Sequence, residues 1–277
     1  LAVITITPNP ATMAINATQQ FTAVGKDSSG NVVAITPVWS VVSGGTINAT
    51  TGLFTAGTVP ATFANTVTAT SGTISGTATV TVTPGALAVI TITPNPATMA
   101  INATQQFTAA GKDAAGNVVA ITPTWTVVAS GGTIGTTGLF TAGATAGTFT
   151  NTVKATSGST SGTISGTATV TVTPGAASQL VLTTNAAGAV SGVAFTTQPV
   201  VAVRDSLGNT VTTDNSTVVT MTVMSTAGAT VVGAATATAM AGVATFTTVG
   251  ISGTVGTSYT LTFSTNGLTS ATQSITP

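Results

Sequence analysis

The chain has 277 residues, 43% of them hydrophobic and only 3% charged, with zero net charge, no His and no Cys. That length and apolar content allow two or three domains with real cores, whereas the missing basic surface argues against nucleic acid and against electrostatic membrane contact. Without Cys there is no disulfide scaffold, and no apolar run is long enough to span a membrane.

In chain order, VITITP (3–8) alternates with period two and reads as a half-buried antiparallel strand, Val and Ile inward and Thr outward. FTAVG, KDSSGN (26–31) and VVAI then read as strand, tight turn, strand. Asp27 can bond its own backbone two residues on, and Gly30 supplies a positive φ. ITPVWSVV places Trp39 on a strand expected to be central, with the indole anchoring a core. TGLFTAG and SGTISGTATVTVTPGA complete the set. The strands are short and separated by Gly, Pro, Asn and Ser, the pattern of a β-sandwich.

LAVITITPNPATMAINATQQFTA starts at Leu1 and again at Leu87, a period of 86 residues that is one whole domain rather than a solenoid repeat. The second copy carries an insertion at STSG (159–162) and contains Trp125. The expected domains are 1–86, 87–176 and a diverged 177–277. The architecture expected is all-β, three tandem antiparallel sandwiches in an elongated rod, with short Pro-Gly-Ala joints at 84–86 and 174–176.

The hexapeptide returns as KDAAGN (112–117) and RDSLGN (204–209), so six of the eight charged side chains lie in three turns. Asp113 with Gly116, and Asp205 with Gly208, repeat the roles of Asp27 and Gly30. One carboxylate and one cation per turn make a poor calcium site. The rare charges are therefore expected in solvated turns, with no metal and no cofactor.

NPATMAINATQQFTA, KDSSGN, the Trp strand, TGLFTAG and SGTATVTV together resemble the bacterial immunoglobulin-like group 2 domain. The resemblance covers both copies. Asn16 and Asn102 stand where that family often has a turn Gly, and Asn also tolerates positive φ. Segment 177–277 resembles invasin-type bacterial surface repeats more loosely, through FTTQPVVAVRDSLGNTV, AGVATFTTVGISG and GTSYTLTF. These resemblances imply an extracellular sandwich in a tandem array, as in adhesins, surface layers, fibres and spacers of secreted enzymes, with no catalytic residues.

A search for chemistry agrees. A Ser nucleophile has no His as base, zinc sets need His or Cys, and Asp27, Asp113, Asp205 and Asp214 read as turn or strand-end residues. An enzyme is not expected. Asn-x-Ser/Thr occurs at Asn16, Asn48, Asn102 and Asn215, about as often as chance allows in this composition, so covalent glycans are candidates only. Thr rows do not make an ice face at an 86-residue period.

The function expected is a structural subunit of an extracellular fibre, sheath or surface layer, a homo-oligomer assembling head to tail. One route is donation of the N-terminal strand, carried by Leu1, Val3, Ile4 and Ile6. The alternatives are the stalk of a cell-surface adhesin, with loops 184–192 and 224–230 of the third segment as its contact, or a passive spacer in a secreted enzyme. A start at Leu1 rather than Met reads as a processed chain or a piece of a longer one.

Overall fold

A computed structural model describes residues 1–160, 162–224 and 228–277. The first copy contains β1 (Val3–Thr7), β2 (Ala11–Ala14), β3 (Thr18–Gln20), β4 (Thr22–Lys26), β5 (Val32–Val33), β6 (Val38–Val41), β7 (Gly45–Ile47), β8 (Leu53–Ala56), β9 (Ala61–Ser71) and β10 (Ile74–Thr83). One sheet runs β2-β10-β9-β6, and the facing strands run β1-β4-β5 and β3-β8-β7. Pairing is antiparallel except where β2 lies parallel to β10. The chain thus enters in one layer, turns through Pro8-Asn9-Pro10 and continues in the other. Asn9 anchors that crossing by donating to Thr77 O (3.1 Å) and accepting from Thr79 N (3.0 Å). This strand order is that of an immunoglobulin-like sandwich.

Alternation fills the core. Ile4, Ile6, Met13, Phe21, Trp39, Phe54, Val67, Val80 and Val82 are buried between the layers. Phe21 meets Phe54 edge-on with centroids 6.1 Å apart, and lies 6.5 Å from Trp39. Two sequence expectations need correction. Val3 points outward at 47% exposure, because period two puts it on the face of Thr5 and Thr7, opposite Ile4 and Ile6. Trp39 sits on β6, the edge of its sheet rather than its centre. It is buried because the loop 48–52 covers it: Trp39 N bonds Ala49 O, and a Cβ at Gly52 would fall 2.7 Å from the indole. Trp125, its counterpart, is only half-buried.

The chain divides into two compact units: Leu1–Thr93 with Thr108–Trp125 and Lys154–Thr167, and Pro94–Phe107 with Thr126–Val153 and Ala168–Pro277. The first unit holds the first sandwich and the second copy's sheet Leu87–Thr93, Thr108–Asp113, Val118–Val119. The second unit holds that copy's sheet Thr104–Gln106, Leu139–Ala142, Gly132–Ile134, where Phe107 and Phe140 meet edge-on at 6.0 Å. It also holds the parallel pairing of Ala97–Ala100 with Val170–Thr173, the equivalent of β2 on β10.

The third segment departs from the copies. Seven strands form one sheet, from Ala177–Thr184 at one edge to Ala271–Ile275 at the other, and a small sheet joins Val193–Ala194, Gly250–Ser252 and Thr230–Val232. Phe195, Phe246, Phe263, Met221, Ile251 and Leu261 fill its core, with Phe246 and Phe263 centred 5.6 Å apart. Tyr259 is buried, its hydroxyl accepting from Thr254 N at 2.8 Å, so it offers no exposed aromatic platform.

Candidate functional site

The three hexapeptides build one turn three times. Asp27 Oδ1 accepts the N–H of Ser29 and of Asn31, each at 2.9 Å. Asp27 Oδ2 accepts Asn31 Nδ2 at 3.0 Å. The backbone closes through Asp27 N to Asn31 O and Gly30 N to Asp27 O, with Gly30 at φ 86°. Asp113 repeats this with Ala115 (2.9 Å), Asn117 N (2.8 Å) and Asn117 Nδ2 (3.0 Å), and Gly116 at φ 87°. Asp205 repeats it with Leu207 (2.9 Å), Asn209 N (2.8 Å) and Asn209 Nδ2 (2.9 Å), and Gly208 at φ 88°.

The second and third turns hold more than themselves. In the first unit, Gly85 N donates to Asp113 Oδ2 at 2.8 Å, and Asn117 Nδ2 donates to Thr58 O at 3.0 Å. In the second unit, Gly175 N donates to Asp205 Oδ2 at 2.9 Å, Asn209 Nδ2 donates to Ala144 O at 2.8 Å, and Ala146 N donates to Asn209 Oδ1 at 2.9 Å. Each Asp grips the Pro-Gly-Ala joint before its own copy, and each Asn grips a loop of the preceding copy. This corrects the expectation of solvated turns: Asp113 and Asp205 are 3% and 1% exposed. A buried carboxylate is tolerated here because four N–H groups surround it.

Those groups also set the acidity. Burial pushes Asp113 upward, but the Asn117 amide and the N–H groups of Gly85, Asn117 and Ala115 outweigh it and hold the carboxyl below its ordinary range. Asp205 follows the same balance with Asn209, Gly175 and Leu207. For Asp27 the Asn31 amide is the leading cause, and the shift is again downward. Burial pushes Asp214 upward, but Thr217 and Ser216 outweigh it and hold the carboxyl below its ordinary range; among the described residues its side chain shares no hydrogen-bond partner with that of Asp205.

Among the described residues no three acidic, His or Cys side chains gather as metal ligands. Among the described residues no helix is long and apolar enough to cross a membrane. The four sequon asparagines are all exposed. Asn16 and Asn102 hold left-handed turns at φ 61° and 59°. Asn48 Oδ1 caps Thr50 N and Thr51 N, and Asn215 Oδ1 accepts Ala241 N. The proposed donor strand is seated in its own sheet. β1 pairs with β4 at five positions and buries Ile4 and Ile6, leaving Leu1 and Val3 partly exposed. Vacating the two Ile sites would forfeit roughly 1.5–3 kcal/mol each. The loop 184–192 is tied down by Gln273, which both accepts from Ala186 N and donates to Ala186 O. Residues 225–227 of the second candidate loop, and Ser161 of the STSG insertion, lie outside the described residues.

Sequence reasoning saw the local half of each turn and missed its long-range half. The signal was present: a Pro-Gly-Ala joint at 84–86 and at 174–176 precedes each buried Asp by about 30 residues.

The sequence matches no protein-family model and no curated protein. Among solved structures, it is similar to the Escherichia coli adhesin FdeC, with 17% identity over 99% of this chain and 96% of that one, at a TM-score of 0.45. It is also similar to the extracellular cadherin domains 1–4 of protocadherin gamma B7, with 10% identity over 99% and 75% at 0.42. Domains 1–6 of the surface layer protein SbsC give 17% identity over 99% of this chain and 40% of that one, at 0.30. Likeness at this level leaves the fold to rest on the chain's own strand order.

Proposed function

We propose that this chain is a non-enzymatic structural segment of an extracellular surface assembly, a fibre, sheath or surface layer, built from immunoglobulin-like domains 1–86, 87–176 and 177–277. The observation that carries this reading is the joint built twice with the same atoms, Asp113 on Gly85 and Asp205 on Gly175. A joint whose link is hydrogen-bonded into the next domain resists bending, which suits an element that transmits force or sets spacing. The near-absence of charge fits a surface covered by identical neighbours, because repulsion would oppose their packing. The resemblance of domains one and two to the bacterial group 2 immunoglobulin-like domain, and of domain three to invasin-type repeats, supports a bacterial surface location. The exposed sequon asparagines and Thr faces are where covalent glycans would sit.

Assembly in this reading is head to tail and leaves β1 in its own sandwich. Electron microscopy of native material tests it. Regular filaments or a lattice with a constant axial repeat are expected; isolated particles attached singly to a cell or a larger protein would contradict it. The seven-stranded sheet of domain three favours a second reading, an adhesin stalk with a specialised tip. Specific binding of 177–277 on a glycan or host-protein array would select that one.

A further inference from the structure

We propose that the cleft between the end of the second copy's last strand and the third Asp turn binds a neutral saccharide. The cleft lies wholly within the second unit and rests on neither reading of the assembly. It holds about 420 Å³, inside the roughly 300–1,000 Å³ usual for small-ligand sites. The third turn gives it its shape. Asn209 donates to Ala144 O and accepts from Ala146 N, which fixes that loop beside Thr171–Pro174. With its N–H groups taken by Ala144 and Asp205, the Asn209 amide is wall rather than ligand contact.

The ligand class follows from the lining. Thr148, Thr171, Thr173, Thr210, Thr212 and Thr213 line the cleft. The hydroxyls of Thr148 and Thr171 lie 3.2 Å apart and share one hydrogen, so the pair keeps one O–H to give. Thr173 donates to Met99 O at 3.3 Å and keeps its lone pairs. Among the described residues the hydroxyls of Thr210, Thr212 and Thr213 have no protein partner. Such groups both donate and accept, as sugar hydroxyls do. Val172 and Pro174 add apolar surface for the C–H face of a ring. No charged side chain lines the cleft: Asp205 is turned to Gly175, and Asp214 to Ser216 and Thr217. An ionic ligand would leave water without a counter-charge. The first joint carries the same hydroxyl pair, Thr62 and Thr81 at 3.1 Å, but has Val118, Ala120 and Ile121 where the second has Thr210, Thr212 and Thr213.

The test titrates the full chain with methyl β-glucoside, methyl α-mannoside and lactose, with glycerol and N-acetylneuraminate as controls, and follows backbone amide shifts. At least one neutral sugar should give saturable shifts at Thr171, Thr173, Thr210 and Thr212 while Thr62 and Thr81 stay still. Glycerol and the charged sugar should not saturate. Thr210→Val keeps the branched shape, removes the hydroxyl and copies Val118 of the first joint; it should weaken binding about fivefold or more. Thr212→Val is a second variant with the same expected direction. Unchanged hydrogen exchange at Gly175 shows that each variant keeps its joint. No saturable shift with any neutral sugar overturns the site, as does equal response at Thr62 and Thr81 or unchanged affinity in both variants. Equal binding of N-acetylneuraminate overturns the neutral class.

Discussion

Asp113 Oδ2 lies 2.8 Å from the backbone nitrogen of Gly85, a residue of the joint before its own copy. The same Asp closes its own turn through Asn117 and Ala115. One side chain therefore couples the shape of a hairpin to the course of the chain that enters it. Asp205 and Gly175 repeat the relationship.

This coupling ranks the three aspartates. Asp113→Ala and Asp205→Ala each remove the turn's internal bonds and also leave a joint N–H without its acceptor. Asp27→Ala removes only the internal bonds. Differential scanning calorimetry should give the larger fall in Tm for the first two, and equal losses for all three would count against the coupling.

Acid should weaken the joints. The folded carboxyls of Asp113 and Asp205 titrate below the unfolded value of about 3.9, so the stability they contribute is fully present above about pH 4. It is lost as pH falls through the folded values. Tm followed from pH 6 to pH 2 should decline below about pH 4, and the decline should be shallower in the Asp113→Asn, Asp205→Asn double variant. A decline of equal steepness in that variant would assign the acid sensitivity elsewhere.

Removing β1 should unfold the first sandwich. Ile4 and Ile6 are core residues, and each truncation to Ala should cost about 2–5 kcal/mol in urea unfolding. Deleting residues 1–7 should expose the first copy's amides to exchange while the third segment keeps its protection. A first copy that stays protected would mean that β1 is free for donation after all.

Two glycines test the packing of the layers. A Cβ at Gly76 would collide with the backbone oxygen of Ile4, and one at Gly166 with that of Ile90. Gly30→Ala meets no neighbour and should lose only about 1 kcal/mol from its φ of 86°. Gly76→Ala should therefore destabilise clearly more than Gly30→Ala in urea titration, and a smaller loss would show that β1 can shift away from β10.

The strands and the turns were legible because period-two alternation and the Asp-x-x-Gly-Asn order act over a few residues. Phe21, Phe54, Val67 and Val80 are buried where alternation puts them. The phase of β1 is ambiguous at Val3 because two branched apolar residues, Val3 and Ile4, open the strand side by side, and only the alternation from Ile4 to Ile6 separates the faces. The edge position of Trp39 depends on which strands pair across the sheet, which no local pattern encodes. The burial of Asp113 and Asp205 was hidden for the same reason, since their outer partners lie 28 and 30 residues earlier in the chain.

The most direct test of the locked joint is backbone nitrogen relaxation at Gly85 and Gly175. Order parameters near 0.85, equal to those of the flanking strands, are predicted for both glycines. Values below about 0.6 would make the Pro-Gly-Ala segments flexible tethers and contradict the account.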